Sequence, residues 1–182
     1  QDLNAWGTAQ FAALTPSQLA TLMPIQLAAL ESADMRALST AAISSLGSDQ
    51  LAAFTSAQLG ALSAGQVGAL SGQALSGLST DNLNAFGTAQ FAALTTAQVS
   101  GLSADQVAGL ETADLRALST AAISAMRTEQ ISAITADQFG ALRTSQLAAL
   151  STAHAAALTT DQLNAITTAQ MPGLESRDIA AM

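Results

Sequence analysis

The chain has 182 residues and a net charge of −8, from thirteen acidic residues and five arginines, with no lysine and no cysteine. Phosphate backbones are bound by clustered basic residues, so this charge predicts no nucleic-acid partner. No apolar run approaches the roughly 20 residues of a membrane helix, which predicts no membrane insertion. Apolar residues make up 49% of the chain, which excludes disorder caused by low hydrophobicity.

An eight-residue unit, the octad, repeats twenty-two times from Gly7 to Met182 without insertion or deletion. We number its positions 1 to 8, so that Gly7 is position 1 and Leu14 is position 8. Repetition at a fixed period predicts an array in which each unit contacts neighbouring units of the same chain. Composition does not change along the chain, so we interpret 1–182 as one continuous array. The ends lack polar capping repeats, and we expect the chain to be a piece of a longer array.

Each octad predicts a very short helix with its own N-terminal cap. Position 1 is Ser or Thr in thirteen octads, and position 4 is Gln in fourteen. This spacing is typical of a capping box, in which the hydroxyl and the Gln side chain each bond the other residue's backbone N–H. Boxes are predicted for the pairs Thr15/Gln18, Thr55/Gln58, Thr95/Gln98 and Thr135/Gln138.

The first octads add three further features of the unit. Pro16 and Pro24 stand at position 2, the first helical residue, where proline is well tolerated. Positions 5 and 8 are apolar in every copy and predict the core, with Trp6 and Phe86 as aromatic variants of the position-8 Leu. Position 7 is always small, which permits close approach of adjacent segments.

The predicted fold is an all-α superhelical solenoid of very short capped helices, one for each octad. One unbroken helix is excluded. Eight residues advance a helix by about 80° beyond two full turns, so the apolar side chains at positions 5 and 8 would wind around the helix instead of forming one buried face. The alternative is a β-solenoid, which also uses short periods. Positions 5 and 8 would then face opposite sides of a strand, which argues against it.

A charge cluster, Glu31, Asp34 and Arg36, returns eighty residues later as Glu111, Asp114 and Arg116. Glu and Asp three residues apart could bind a cation or act as a carboxylate pair. We favour a structural interpretation, because an aspartate in the first helical turn suits the helix dipole. A weaker similarity between segments forty residues apart aligns Gly7, Gly47 and Gly87. Duplication of octad blocks explains these registers, and a superhelical turn of five octads is the structural alternative.

Two residues near the end depart from the pattern. His154 replaces Gln at position 4, and without partner ligands it predicts a capping variant rather than a metal or haem ligand. Pro172 stands at position 6, where a helix that began at position 2 would lose a hydrogen bond. Either the final octads deviate from the pattern, or the helices are shorter than the one and a half turns that each octad predicts. The recurrent Thr at position 2 could order water, but we favour solvent exposure as the explanation.

The strings Leu94-Thr-Thr-Ala-Gln-Val99 and Leu158-Thr-Thr-Asp-Gln-Leu-Asn-Ala-Ile166 resemble octapeptide arrays of very large secreted or surface-attached bacterial proteins. Those proteins are often labelled adhesins, haemagglutinins or haem-utilisation proteins. The resemblance implies an extracellular or cell-surface location and a stalk or adhesive region. The single histidine gives the haem label no support.

These observations predict a structural spacer that holds a functional domain away from a bacterial surface. The alternative is a solenoid whose surface binds a protein or a glycan. Binding surfaces are usually rich in aromatic and Arg residues, whereas positions 3 and 6 are mostly Ala, Ser and Gly. No nucleophile and base pair, metal-ligand set or phosphate loop is present in the sequence. We therefore predict no enzymatic activity, no catalytic residue, no metal site and no cofactor.

Overall fold

The computed structural model describes residues 6–174 and Ala180. The described residues form twenty α-helices of four to six residues and no strand. The all-α solenoid is therefore confirmed, and the β-solenoid alternative is wrong. The last octad, with Ile179 at its position 5, lies outside the described residues apart from Ala180. In the described part of the chain, no helix has the length and apolar character needed to span a bilayer.

The contacts group the chain into two compact units, Gln1–Ala93 and Leu94–Met182. The first unit contains α1 Thr8–Ala12, α2 Pro16–Ala20, α3 Pro24–Ala28, α4 Ser32–Ala37, α5 Thr40–Ile43, α6 Ser48–Ala52, α7 Ser56–Ala61, α8 Ala64–Ala69, α9 Gly72–Ser76, α10 Thr80–Leu83 and α11 Thr88–Ala92. The second contains α12 Thr96–Gly101, α13 Ala104–Ala108, α14 Thr112–Ala117, α15 Thr120–Ser124, α16 Thr128–Ala133, α17 Ala136–Gly140, α18 Thr144–Leu147, α19 Thr152–Ala156, α20 Thr160–Ala165 and a 3₁₀ helix Met171–Gly173. The octad phase continues across the boundary, and the interpretation as one array stays a prediction.

Each helix begins at position 2 after an extended residue at position 1. The four predicted capping boxes are confirmed. At Thr55, the backbone N–H donates to Gln58 Oε1 at 2.8 Å, and the Thr55 hydroxyl accepts from the Gln58 N–H at 3.2 Å. Pro16 and Pro24 are the first residues of α2 and α3. Because these bonds join residues only three apart, the start of each helix is set within its own octad.

The helices end without any left-handed residue. Among the described residues no backbone φ is positive, even at glycine. In the six-residue helices position 8 is extended, as at Leu62 with φ −60° and ψ 141°, and the following position 1 is extended as well. Two successive extended residues therefore turn the chain, and the glycine that helix ends often require is not needed here.

Positions 5 and 8 supply the core, as predicted. From Phe11 to Ala155 every position-5 side chain is at most 1% exposed. At position 8, Phe86 is buried and its ring meets Phe91 edge-on at a centroid distance of 6.4 Å. Trp6 is half-buried beside Phe11. The prediction weakens near the end, because Leu163 is half-buried and Met171 is 48% exposed.

Within each unit the helices wind so that each one packs against the third helix along the chain. In the first unit α1 contacts α4, and the series continues to α8 with α11; in the second it runs from α12 with α15 to α17 with α20. Side chains at position 4 bond the helix four octads earlier, as Gln58 bonds Leu27 O at 2.9 Å. A turn therefore contains between three and four octads. The hypothesis of a five-octad turn is wrong, because packing contacts and not the sequence register determine the winding.

Small residues lie where successive turns approach each other. A Cβ atom on Gly77, at position 7, would lie 2.8 Å from Ser48 Cβ in α6. Residues at position 6 lie similarly close to the neighbouring turn, since a Cβ on Gly60 would lie 2.9 Å from the Ala85 carbonyl oxygen. The predicted close approach at position 7 is confirmed, and position 6 shares it.

Substitutions of two helical glycines should have opposite effects on stability. Gly60→Ala should lower the free energy of unfolding by about 1–2 kcal/mol, because the new methyl group meets backbone. Gly65 has nothing within 4 Å of its Cβ position, so Gly65→Ala should raise stability by up to about 1 kcal/mol through helix propensity. Urea denaturation of both variants measures the difference. An equal change in the free energy of unfolding for both would contradict the close packing at Gly60.

Candidate functional site

The main polar feature of the structure is a row of buried glutamines at position 4. Gln130 is fully buried, and its Oε1 accepts from the Arg127 backbone N–H at 2.7 Å. Its Nε2 donates to Val99 O and Leu102 O, both at 2.8 Å. One amide thus closes the cap of its own helix and binds the carbonyl end of the helix four octads earlier.

The same double role recurs in both units. The amide of Gln66 bonds Ser63 N at 2.7 Å and the carbonyl oxygens of Met35 and Leu38 at 2.8 Å. Side-chain amides reach the same two carbonyl positions of the helix four octads earlier at Gln50, Gln58, Gln90, Gln138, Gln146, Gln162 and Gln170. Burial of these amides is therefore matched by hydrogen bonds, as buried polar groups require.

His154 takes the place of a glutamine in this row. It is 5% exposed, and its Nδ1 lies 3.2 Å from the Ser151 backbone N–H. Its Nε2 lies 2.9 Å from Met126 O. Because Nδ1 faces a donor and Nε2 faces an acceptor, the partners assign the tautomer with its proton on Nε2. The prediction of a capping variant is confirmed.

The recurrent charge cluster does not assemble into a site. Asp34 and Asp114 stand in the first turns of α4 and α14 and are 7% and 4% exposed, which agrees with the structural interpretation. Arg36 does not pair with a carboxylate, and its Nε donates to Ala61 O at 3.1 Å instead. Within the described ranges, the one ion pair joins Arg127 to Glu129 at 3.3 Å.

Asp114 has the clearest electrostatic perturbation among the described residues. Burial, and secondarily the negative charge of Glu111, raises the pKa of the Asp114 carboxyl from its usual 3.8 to about 6. A raised pKa can indicate an acid–base group. Here no described group of three or more His, Cys, Asp and Glu residues could hold a metal. The shift follows from placing an acid in the position that elsewhere holds a neutral amide.

Pro172 marks a departure from the helical pattern. Residues 171–173 form a short 3₁₀ helix instead of a regular octad helix. Proline at position 6 has no N–H to donate to the preceding turn, which explains the change. The first of the two predicted alternatives, a deviation in the final octads, is therefore correct.

One groove escaped the sequence analysis. Arg116, Arg143, Thr144, Thr167 and Gln170 line a cavity of about 420 Å³ in the second unit. Arg143 follows α17 and precedes α18, whereas Arg116 lies near the end of α14. The two arginines are 27 residues apart in the sequence, and this spacing indicates proximity only once the winding of the octads is known.

Loss of a buried glutamine should cost far more than loss of an exposed one. Gln130→Ala leaves the buried Val99 and Leu102 carbonyls without this donor, so the free energy of unfolding should fall by about 2–4 kcal/mol. Gln18 is exposed, and among the described residues its side chain bonds only Thr15, so Gln18→Ala should cost about 0.5–1 kcal/mol. Equal losses in urea denaturation would show that the bonds between turns add nothing.

Asp114 should make stability depend on pH. The folded-state pKa of about 6 exceeds the ordinary 3.8, so the folded chain retains this proton more strongly between those values. Stability is therefore highest with the acid protonated and declines as pH rises towards 6. The neutral Asp114→Asn should become increasingly more stable than the parent chain between about pH 4 and pH 7 in urea denaturation. Glu111→Gln should reduce this trend without removing it, and a pH-independent difference would contradict the assignment.

No curated protein matches the chain. The family model described as the ALTTAQ repeat matches at residues 27–64, 64–96, 80–110, 107–144 and 141–176. Together these matches cover most of the chain and both units. The chain belongs to the ALTTAQ repeat family.

Proposed function

We propose that this repeat array is a structural spacer, a stalk that holds a functional domain of a bacterial adhesin-like protein away from the surface. The observation that supports it most is the double role of the position-4 glutamine. Each such amide joins one turn to the next through main-chain carbonyls, which every octad possesses whatever its side chains. Further octads can therefore be added with the same bonds, and length is the property such an array can vary.

The exposed surface also favours a spacer. Position 3 is exposed in each described octad, and it carries mostly Ala, Ser or an acid. Its acidic residues are Asp49, Asp81, Asp105, Glu129, Asp137 and Asp161, all in first helical turns. Such a surface offers little to a broad protein interface, because aromatic and Arg anchors are scarce. Like charges also oppose association between neighbouring molecules.

A spacer role is non-catalytic and would place the array outside the cell. The acidic, lysine-free composition and the resemblance to arrays of large secreted proteins support this location. The alternative, a solenoid that binds a protein or glycan over a broad face, has less support because the exposed positions are small.

Dimensions of a doubled array should distinguish a stalk from a compact domain. The chain starts at position 3 and ends at position 8, so Ser-Thr between two copies continues the octad phase. If the array is a stalk, small-angle X-ray scattering should show a maximum dimension about twice that of one copy. A compact chain would instead grow by only about 1.3-fold, because its radius scales as the 0.38 power of length. That smaller ratio would contradict the spacer.

The location has a separate test. Antibodies raised against residues 27–176 should label intact source cells, or appear with protein in the culture medium. Labelling only after permeabilisation would contradict the surface location and leave the scattering result unaffected. An internal cytoplasmic protein of the same cells serves as the control for cell integrity.

A further inference from the structure

The groove beside Arg143 combines two cations in a chain that is otherwise strongly acidic. Its volume of about 420 Å³ lies in the range of small-molecule sites. Thr144, Thr167 and Gln170 line the groove together with both arginines. Two of the five arginines in the sequence therefore meet at one concave surface.

The two arginines keep unused donors. Nη2 of Arg143 donates to Leu118 O at 2.9 Å, which holds the side chain in place and leaves most of its five N–H donors available. Neither Arg116 nor Arg143 forms an ion pair with any residue in the described part of the chain. Their positive charges are thus not neutralised by a direct carboxylate contact.

The repeat provides an internal comparison for each arginine. Arg36 stands eighty residues before Arg116 at the same octad position, but Ser63 occupies the place that corresponds to Arg143. Arg127 shares position 1 with Arg143 and likewise bonds a carbonyl twenty-five residues earlier, Leu102 O at 3.0 Å. Arg127, however, is paired with Glu129, whereas position 3 after Arg143 is Ser145. Among the described residues, Arg116 and Arg143 are therefore two arginines at one groove without an acidic partner, whereas the equivalent positions eighty residues earlier hold Arg36 and Ser63.

We propose that this groove binds a small acidic sugar through its carboxylate. Arg116 and Arg143 bind the carboxylate oxygens, and guanidinium groups match that planar anion in a bidentate way. The Thr144 and Thr167 hydroxyls donate to Ala169 O and Gln170 Oε1, so their oxygens remain as acceptors for sugar hydroxyl groups. The cavity exceeds the size of a bare ion. A monoanion is favoured over phosphate, because Glu111 and Asp114 share the octad of Arg116 and Asp137 lies in α17, whose last residue Gly140 lines the groove. These negative charges repel a dianion more strongly. This site does not depend on the spacer role.

Nuclear magnetic resonance titration of the full chain tests the proposal with D-glucuronate, neutral D-glucose and inorganic phosphate. Glucuronate should shift backbone resonances of 140–144 and 167–170 and the Nε–H resonances of both arginines. Glucose should leave them unchanged, and 0.5 M NaCl should weaken the glucuronate shifts. Equal shifts with glucose, or tighter binding of phosphate, would overturn the assignment to an acidic sugar.

Substitutions of the arginines test which side chains bind glucuronate. Arg116→Gln and Arg143→Gln should each weaken glucuronate binding about tenfold or more, the factor expected for a charged hydrogen bond. Arg36→Gln and Arg127→Gln are the matched controls and should change binding less than about twofold. Circular dichroism and urea denaturation of each variant verify folding. Arg116 is the decisive position, since its side chain holds no structural bond in the described residues, and unchanged binding by folded Arg116→Gln would refute the site.

Discussion

The structure depends on a single side-chain amide that satisfies two groups at once. A helix of four to six residues leaves most of its N–H and C=O groups without intrahelical partners, and it is unstable alone. The position-4 Gln accepts from the N–H that begins its helix and donates to carbonyls that end a helix one turn away. Leu102 O, for example, receives the Gln130 amide at 2.8 Å. The same side-chain amide therefore couples the formation of its own helix to the stacking of that helix on the previous turn.

Variation at position 4 shows how strictly that place is defined. His154 retains both bonds because an imidazole also has an acceptor and a donor on opposite edges. Ala42, Ala74 and Ala122 fill it with a buried methyl group and give up the amide bonds. Asp114 keeps a polar group but has no donor when ionised, and its raised pKa records the conflict between charge and burial. Six of the ten acids in the described residues stand instead at exposed position 3, where a charge stays in water.

Much of the fold could be predicted from single octads. The Thr55 and Gln58 pair lies within one turn, so its bonds follow from spacing alone. The burial of positions 5 and 8 could likewise be predicted, because these two positions are apolar in every octad. The five-octad turn was wrong because the forty-residue spacing of Gly7, Gly47 and Gly87 is a register of the sequence, which packing does not have to follow. The groove at Arg116 and Arg143 was missed for the same reason, since no octad contains both residues.

By itself the sequence determined the local unit: where each helix starts, which two side chains enter the core, and that position 7 stays small. These features depend on bonds and contacts between residues a few positions apart. Only the tertiary structure decided the winding, through contacts such as Gln58 with Leu27 and Arg36 with Ala61, thirty-one and twenty-five residues apart. The angle between successive octads follows from how closely backbones approach. Side-chain type limits that approach, but only packing of whole turns sets it.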